Sequence, residues 1–121
     1  MTFALVSYAR LNLSCKEYTP LDVYRIIDGV CGKNRELALD LWAVRELITF
    51  LKLKDDEMTL LALNEIYFIP FSKHPQRRIQ RNEISDRILR FACENYLNER
   101  TVYRRLKMAR ELWFRIRYEL K

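Results

Sequence analysis

Apolar positions recur at helical spacing in the middle and at the end of the chain. Leu37, Leu41, Val44, Ile48 and Leu51 follow one another at intervals of four and three, and Ala38, Trp42 and Leu47 widen the stripe. That pattern predicts a helix central to the core. Val102, Leu106, Ala109, Trp113, Ile116 and Leu120 repeat at intervals of 4, 3, 4, 3 and 4. An unbroken stripe of this kind serves either an internal core or a seam between two copies of the chain. Met58 to Ile69 is strongly apolar, and Ile84, Ile88, Phe91 and Ala92 mark a further amphipathic segment. Residues 1–18 show no period, and Phe3 to Tyr8 has the length of a short strand.

Helix punctuation agrees with these stripes. Thr19-Pro20-Leu21-Asp22 combines a capping Thr, Pro at the first helical position and an acid three residues after the cap, so a helix is expected from Pro20 to about Val30. Gly29 and Gly32 stand where it should stop. Asn34 caps the Leu37–Leu51 helix. Asp55-Asp56-Glu57 places negative charge at the start of a third helix, Asp56 to Ile69, which Pro70 ends. Asn82 or Ser85 caps a fourth helix, with Glu83 or Asp86 near its start, and Asn98, followed by Glu99, caps a fifth. The expectation is an all-α domain of about five helices. Residues 1–69 would form a helical core or protein-contact region, 70–81 a basic connector, and 82–121 the C-terminal unit with a long last helix, unless the whole is one continuous domain.

Composition narrows the chemistry. Two glycines in 121 residues, Gly29 and Gly32, cannot build a glycine-rich phosphate loop, and a single histidine, His74, excludes an H-E-x-x-H zinc site. His74 lies beside Pro75 in the connector, as a phosphate-side contact or an idle loop residue. Cys15, Cys31 and Cys93 are odd in number and too widely spaced for a disulfide framework or a metal knuckle. They read as reduced, buried thiols of a cytoplasmic protein. The longest uncharged run, Met1 to Ala9, is too short to span a bilayer and has no basic start. No catalytic constellation, metal site or cofactor motif emerges, so the chain is not expected to be an enzyme.

Charge is unevenly placed. Residues 1–70 carry eight Lys/Arg against ten Asp/Glu, a net of −2, whereas residues 71–121 carry fourteen against six, a net of +8. The C-terminal part is thus suited to meet a polyanion. Within it, Ala92 stands where two helices would cross closely, Leu97 sits in the polar turn, and Val102 and Leu106 point back into the helix pair. This is the form of a helix-turn-helix reader of duplex DNA. Glu99, Arg100, Tyr103 and Arg104 then face outward at the start of the second helix, where side chains reach base edges. Arg100 and Arg104 suit guanine, and Glu99 suits a cytosine amine. Lys73, Arg77, Arg78, Arg81, Asn98, Thr101, Arg105 and Lys107 are expected on phosphates, which fix register without reading sequence.

The run Asn98-Glu99-Arg100-Thr101-Val102-Tyr103-Arg104-Arg105-Leu106 resembles the S-E-R-T-V-Y-R-R-L recognition helix of sigma-factor region 4-like regulators. The apolar helices ending Ile66-Tyr67-Phe68 resemble those of the small ArpU/RinA-like phage late-gene activators. The resemblance is firm over roughly 40 residues at the C-terminus. It implies a transcription regulator of phage or prophage, acting in the bacterial cytoplasm with RNA polymerase as a partner and needing no cofactor. Two positions depart from the pattern: Tyr96 stands where the turn usually has Gly, and Asn95 where Leu precedes it. A left-handed backbone is strained at Tyr96, and Asn95 could take it instead. Two alternatives are a phage terminase small subunit, which uses a helix-turn-helix in a DNA-packaging ring, and a protein-interaction module without DNA. No membrane partner is expected, and a homodimer through the last helix is one use of its stripe.

Overall fold

The computed structural model describes residues 1–11, 13, 19–69 and 81–119. Among them are six α-helices and no strand: α1 (Thr2–Arg10), α2 (Pro20–Cys31), α3 (Arg35–Leu53), α4 (Glu57–Leu63), α5 (Arg81–Glu94) and α6 (Glu99–Glu119). A π-helical segment, Asn64–Phe68, continues α4. The all-α class stands, with one helix more than expected. Phe3 to Tyr8 is helical, because Ala4, Leu5, Val6 and Tyr8 are all buried, where α1 meets α3 and the π segment. Such a broad apolar face shows no stripe.

The helix starts follow their local chemistry. The Asp22 amide donates to Thr19 Oγ1 at 3.2 Å and the Thr19 amide to Asp22 Oδ2 at 3.3 Å, a reciprocal cap on α2. Asn34 Oδ1 accepts from the Leu37 amide at 3.2 Å and starts α3. Between them, Gly32 takes φ 54 and ψ −117 while the Asn34 amide donates to Cys31 O at 2.9 Å. That is a type II′ turn, whose first central position requires Gly.

α3 and α4 join through Asp55, at φ 54. The amides of Asp55 and Asp56 donate to Lys52 O and Leu51 O at 3.1 and 3.0 Å, closing α3 in a Schellman motif. Asp56 at once caps α4, accepting from the Thr59 amide at 3.2 Å and from Thr59 Oγ1 at 2.8 Å. The single helix expected from Asp56 to Ile69 is therefore split between α4 and the wider π segment. Arg87 of α5 satisfies carbonyls at its end, donating to Ile66 O at 3.1 Å and Ile69 O at 2.6 Å. Ile69 is extended (φ −82, ψ 134), as a residue before proline should be.

α3 lies at the centre, in contact with α1, α2, α4 and α6, and buries Leu41, Val44, Leu47 and Leu51. The α6 stripe faces the same core: Val102, Leu106, Ala109 and Trp113 are buried and Ile116 is half-buried. This stripe is occupied within one chain and is not free to form a dimer seam; Leu120 lies outside the described residues. Buried residues from Leu5 to Trp113 form one apolar cluster, so the segments on either side of 70–81 share a core. Cys31 is buried, and burial, helped by Asp28, pushes its thiol pKa up. Cys93 is exposed, contrary to expectation, because Phe91 and Ala92 take the inner face of α5. Cys15 lies outside the described residues.

Candidate nucleic-acid interface

The turn between α5 and α6 is built from local hydrogen bonds. The Leu97 amide donates to Ala92 O at 2.8 Å and the Tyr96 amide to Cys93 O at 3.4 Å, a second Schellman motif. The left-handed residue is Tyr96, at φ 55, and not Asn95. Asn95 instead secures the last turn of α5, its amide and its Nδ2 both donating to Phe91 O, at 3.1 and 2.9 Å. An αL backbone at a residue with a Cβ costs roughly 1–2 kcal/mol. Asn98 then starts α6, its Oδ1 accepting from the Arg100 amide at 3.0 Å. Ala92 and Val102 are buried and Leu97 is half-buried, so the two helices meet through the small and apolar residues expected of them. α5 starts at Arg81, ahead of Asn82 and Ser85.

With Val102 and Leu106 in the core, Arg104 lies about 200° and 160° around the helix from them, and so faces away from the protein. Glu99, Arg100, Tyr103, Arg104 and Lys107 are all exposed, and Thr101 is half-buried. Thus the four residues expected on bases share the outer surface of the first turns of α6. Tyr103 and Lys107 also line a groove of about 480 Å³ whose other walls include Phe3, Tyr67, Ile84 and Arg110. Burial raises the Tyr67 phenol above its ordinary range, with Thr2 and Arg110 opposing the shift. Arg110 lies 5.6 Å from the Phe114 ring centroid, further along the same helix.

The remaining cations divide sharply. Arg105 turns inward: its Nη1 donates to Asp56 Oδ1 at 3.1 Å and lies 3.5 Å from Thr59 Oγ1, joining α6 to the cap of α4. It was expected on a phosphate, and the carboxylate that holds it comes from a helix 49 residues away. Arg117 is bound to α3, donating to Asp40 Oδ1 at 2.7 Å and to Glu36 Oε2, and the Asp40 hydrogen bond raises its pKa. Arg87 serves the π segment. By contrast, Arg100, Arg104 and Lys107 form no salt bridge among the described residues. Lys73, His74, Arg77 and Arg78 lie outside the described residues, as does the side chain of Arg81.

No described helix is long and apolar enough to cross a membrane. Among the described residues, no three His, Cys, Asp or Glu side chains are grouped to hold a metal ion. Sequence reasoning missed the inward use of Arg105. Only the acids at Asp55-Asp56-Glu57, read from the sequence as charge at a helix start, hinted at a local demand for positive charge. No protein-family model, curated protein or solved structure matches the chain.

Proposed function

We propose that the protein is a sequence-specific DNA-binding regulator of transcription that lays the start of α6 in the major groove. The observation that carries this is the sorting of charge on one helix. Arg105 and Arg117 are tied to carboxylates of the α4 cap and of α3, while Arg100, Arg104 and Lys107, on the outer side, form no salt bridge among the described residues. Such a row takes no part in the ion pairs that join the helices, and it complements a polyanion. It begins directly after a rigid capped turn, where a recognition helix meets base edges.

On this reading Arg104 and Arg100 bond guanine edges, Glu99 a cytosine amine, and Tyr103 borders the bases. Lys107, Thr101 and the connector residues Lys73, Arg77, Arg78 and Arg81 meet phosphates. Asn98 contributes mainly as the cap that orients α6, and Arg105 leaves the phosphate set because Asp56 occupies it. The protein itself does no covalent chemistry and uses no cofactor. Its α1–α4 region is available to a protein partner, RNA polymerase by the sigma-like resemblance, in the cytoplasm of a bacterial host carrying the phage or prophage.

The test is selection of bound duplexes from a random library, followed by titrations at several salt concentrations. Arg104→Ala should relax preference at one base position by about 1–3 kcal/mol. Lys107→Ala should weaken every sequence alike and lower the log–log salt slope by about 0.9. Equal loss on selected and scrambled duplexes for Arg104→Ala would make it a phosphate clamp. Failure of the intact protein to bind duplex DNA at low salt would refute the proposal.

A further inference from the structure

Tyr96 occupies a position that the fold would fill best with glycine. It is the left-handed residue of the α5 Schellman motif, at φ 55, where a Cβ is strained and Gly is preferred. A large side chain held at such a site ordinarily compensates by packing. This one does not: Tyr96 is 98% exposed, and no hydrogen bond of its hydroxyl or ring contact is formed among the described residues. The contrast with Asp55 is informative. That residue has the same φ, but its short polar side chain suits the αL region, where tyrosine has no such advantage.

The strain is also not relieved by mobility of the turn, which is pinned on both sides. Asn95 is bonded twice to Phe91 O, the Leu97 amide is bonded to Ala92 O with its side chain half-buried, and Asn98 caps α6. The Tyr96 backbone is therefore fixed, and its side chain stands in solvent, three residues before α6 begins. Arg100 lies four positions further along the chain, so the two Cα atoms lie within about 14 Å of each other. In a helix-turn-helix the start of the second helix meets base edges in the major groove while the first helix crosses the sugar-phosphate backbone, and the turn joins the two.

From this placement we infer that Tyr96 is a DNA-backbone contact: its hydroxyl donates to a phosphate oxygen, and its ring lies against the adjoining deoxyribose. The inference rests on the DNA-binding function proposed above. Its chemistry differs from that of the cations on α6, because a neutral phenol displaces no counterion and reads no base. Removing it must weaken all duplexes equally without altering the dependence on salt.

The experiment compares the full chain with Tyr96→Gly, Tyr96→Asn and Tyr96→Phe. Thermal unfolding is followed together with fluorescence anisotropy on a labelled random-sequence duplex over a salt series. Tyr96→Gly and Tyr96→Asn should melt at or above the temperature of the parent protein, yet bind about five- to tenfold more weakly with an unchanged salt slope. Tyr96→Phe should fall between, retaining the ring and losing the hydrogen bond. Parent-like affinity in the Gly and Asn variants overturns the inference while leaving the DNA-binding function intact. A lower melting temperature in both would show that the side chain serves the fold, and also overturns it. If the parent protein itself does not bind the duplex, the functional proposal fails and this inference with it.

Discussion

The bond from Arg105 to Asp56 makes a quantitative claim about both folding and DNA binding. Asp56 does two things at once: it caps α4 through the Thr59 amide and hydroxyl, and it receives the Arg105 guanidinium at 3.1 Å. Truncating a capping Asp costs about 1 kcal/mol. The ion pair is partly solvated, with Arg105 38% and Asp56 20% exposed at the side chain, so its contribution is discounted to about 0.5–1 kcal/mol. Asp56→Ala should therefore cost about 1.5–2 kcal/mol and Arg105→Ala about 0.5–1 kcal/mol, with a coupling of about 0.5–1 kcal/mol in the double-mutant cycle. For a chain of this length each kcal/mol moves the melting temperature by about 4 °C. Urea unfolding of the four proteins gives the free energies. The same Arg105→Ala protein then separates two uses of the residue. A core tie leaves the salt slope of DNA binding unchanged, whereas a phosphate contact lowers it by about 0.9. Zero coupling together with a lowered slope would refute the structural assignment of Arg105.

Trp113→Ala should cost roughly 3–5 kcal/mol, because the indole is buried in the α6 stripe; an unchanged urea midpoint would contradict that placement. The two glycines should respond to alanine with opposite signs. A Cβ at either meets nothing within 4 Å, so only the backbone decides. Gly29→Ala, inside α2, should stabilise by about 0.5–1 kcal/mol, while Gly32→Ala, at φ 54, should destabilise by about 1–3 kcal/mol in the same melts. Stability should also fall in alkali. Burial raises the phenols of Tyr8 and Tyr67, with Arg45 opposing at Tyr8 and Thr2 and Arg110 at Tyr67, so the folded state keeps protons that the unfolded chain has lost. Their contribution is complete below the unfolded value of about 10 and is lost as pH rises through the higher folded values. Replacing both residues by Phe should flatten stability against pH from 9 to about 11; an equally steep fall would assign the effect elsewhere.

The features legible in the sequence are those whose partners lie within a few residues. Thr19, Asn34 and Asn98 cap helices through bonds spanning two or three residues, so residue type and spacing were sufficient to locate them, whereas Asp56, expected as the first helical residue, is itself a cap. The stripes of α3 and α6 were legible because a helix with one buried face repeats on its own period. That same periodicity places Arg100 and Arg104 outward, where both are exposed. It could not decide what the α6 stripe packs against, since a seam and a core make the same demand on a helix. Tertiary contact with α3 and α4 decided it. α1 escaped because contacts on several sides buried its apolar residues and erased the period. Arg87, Arg105 and Arg117 all carry the same charge as Arg104, but their acceptors lie 18 to 81 residues away. The composition could count these cations, and only the folded chain could determine which were drawn onto distant carbonyls and carboxylates.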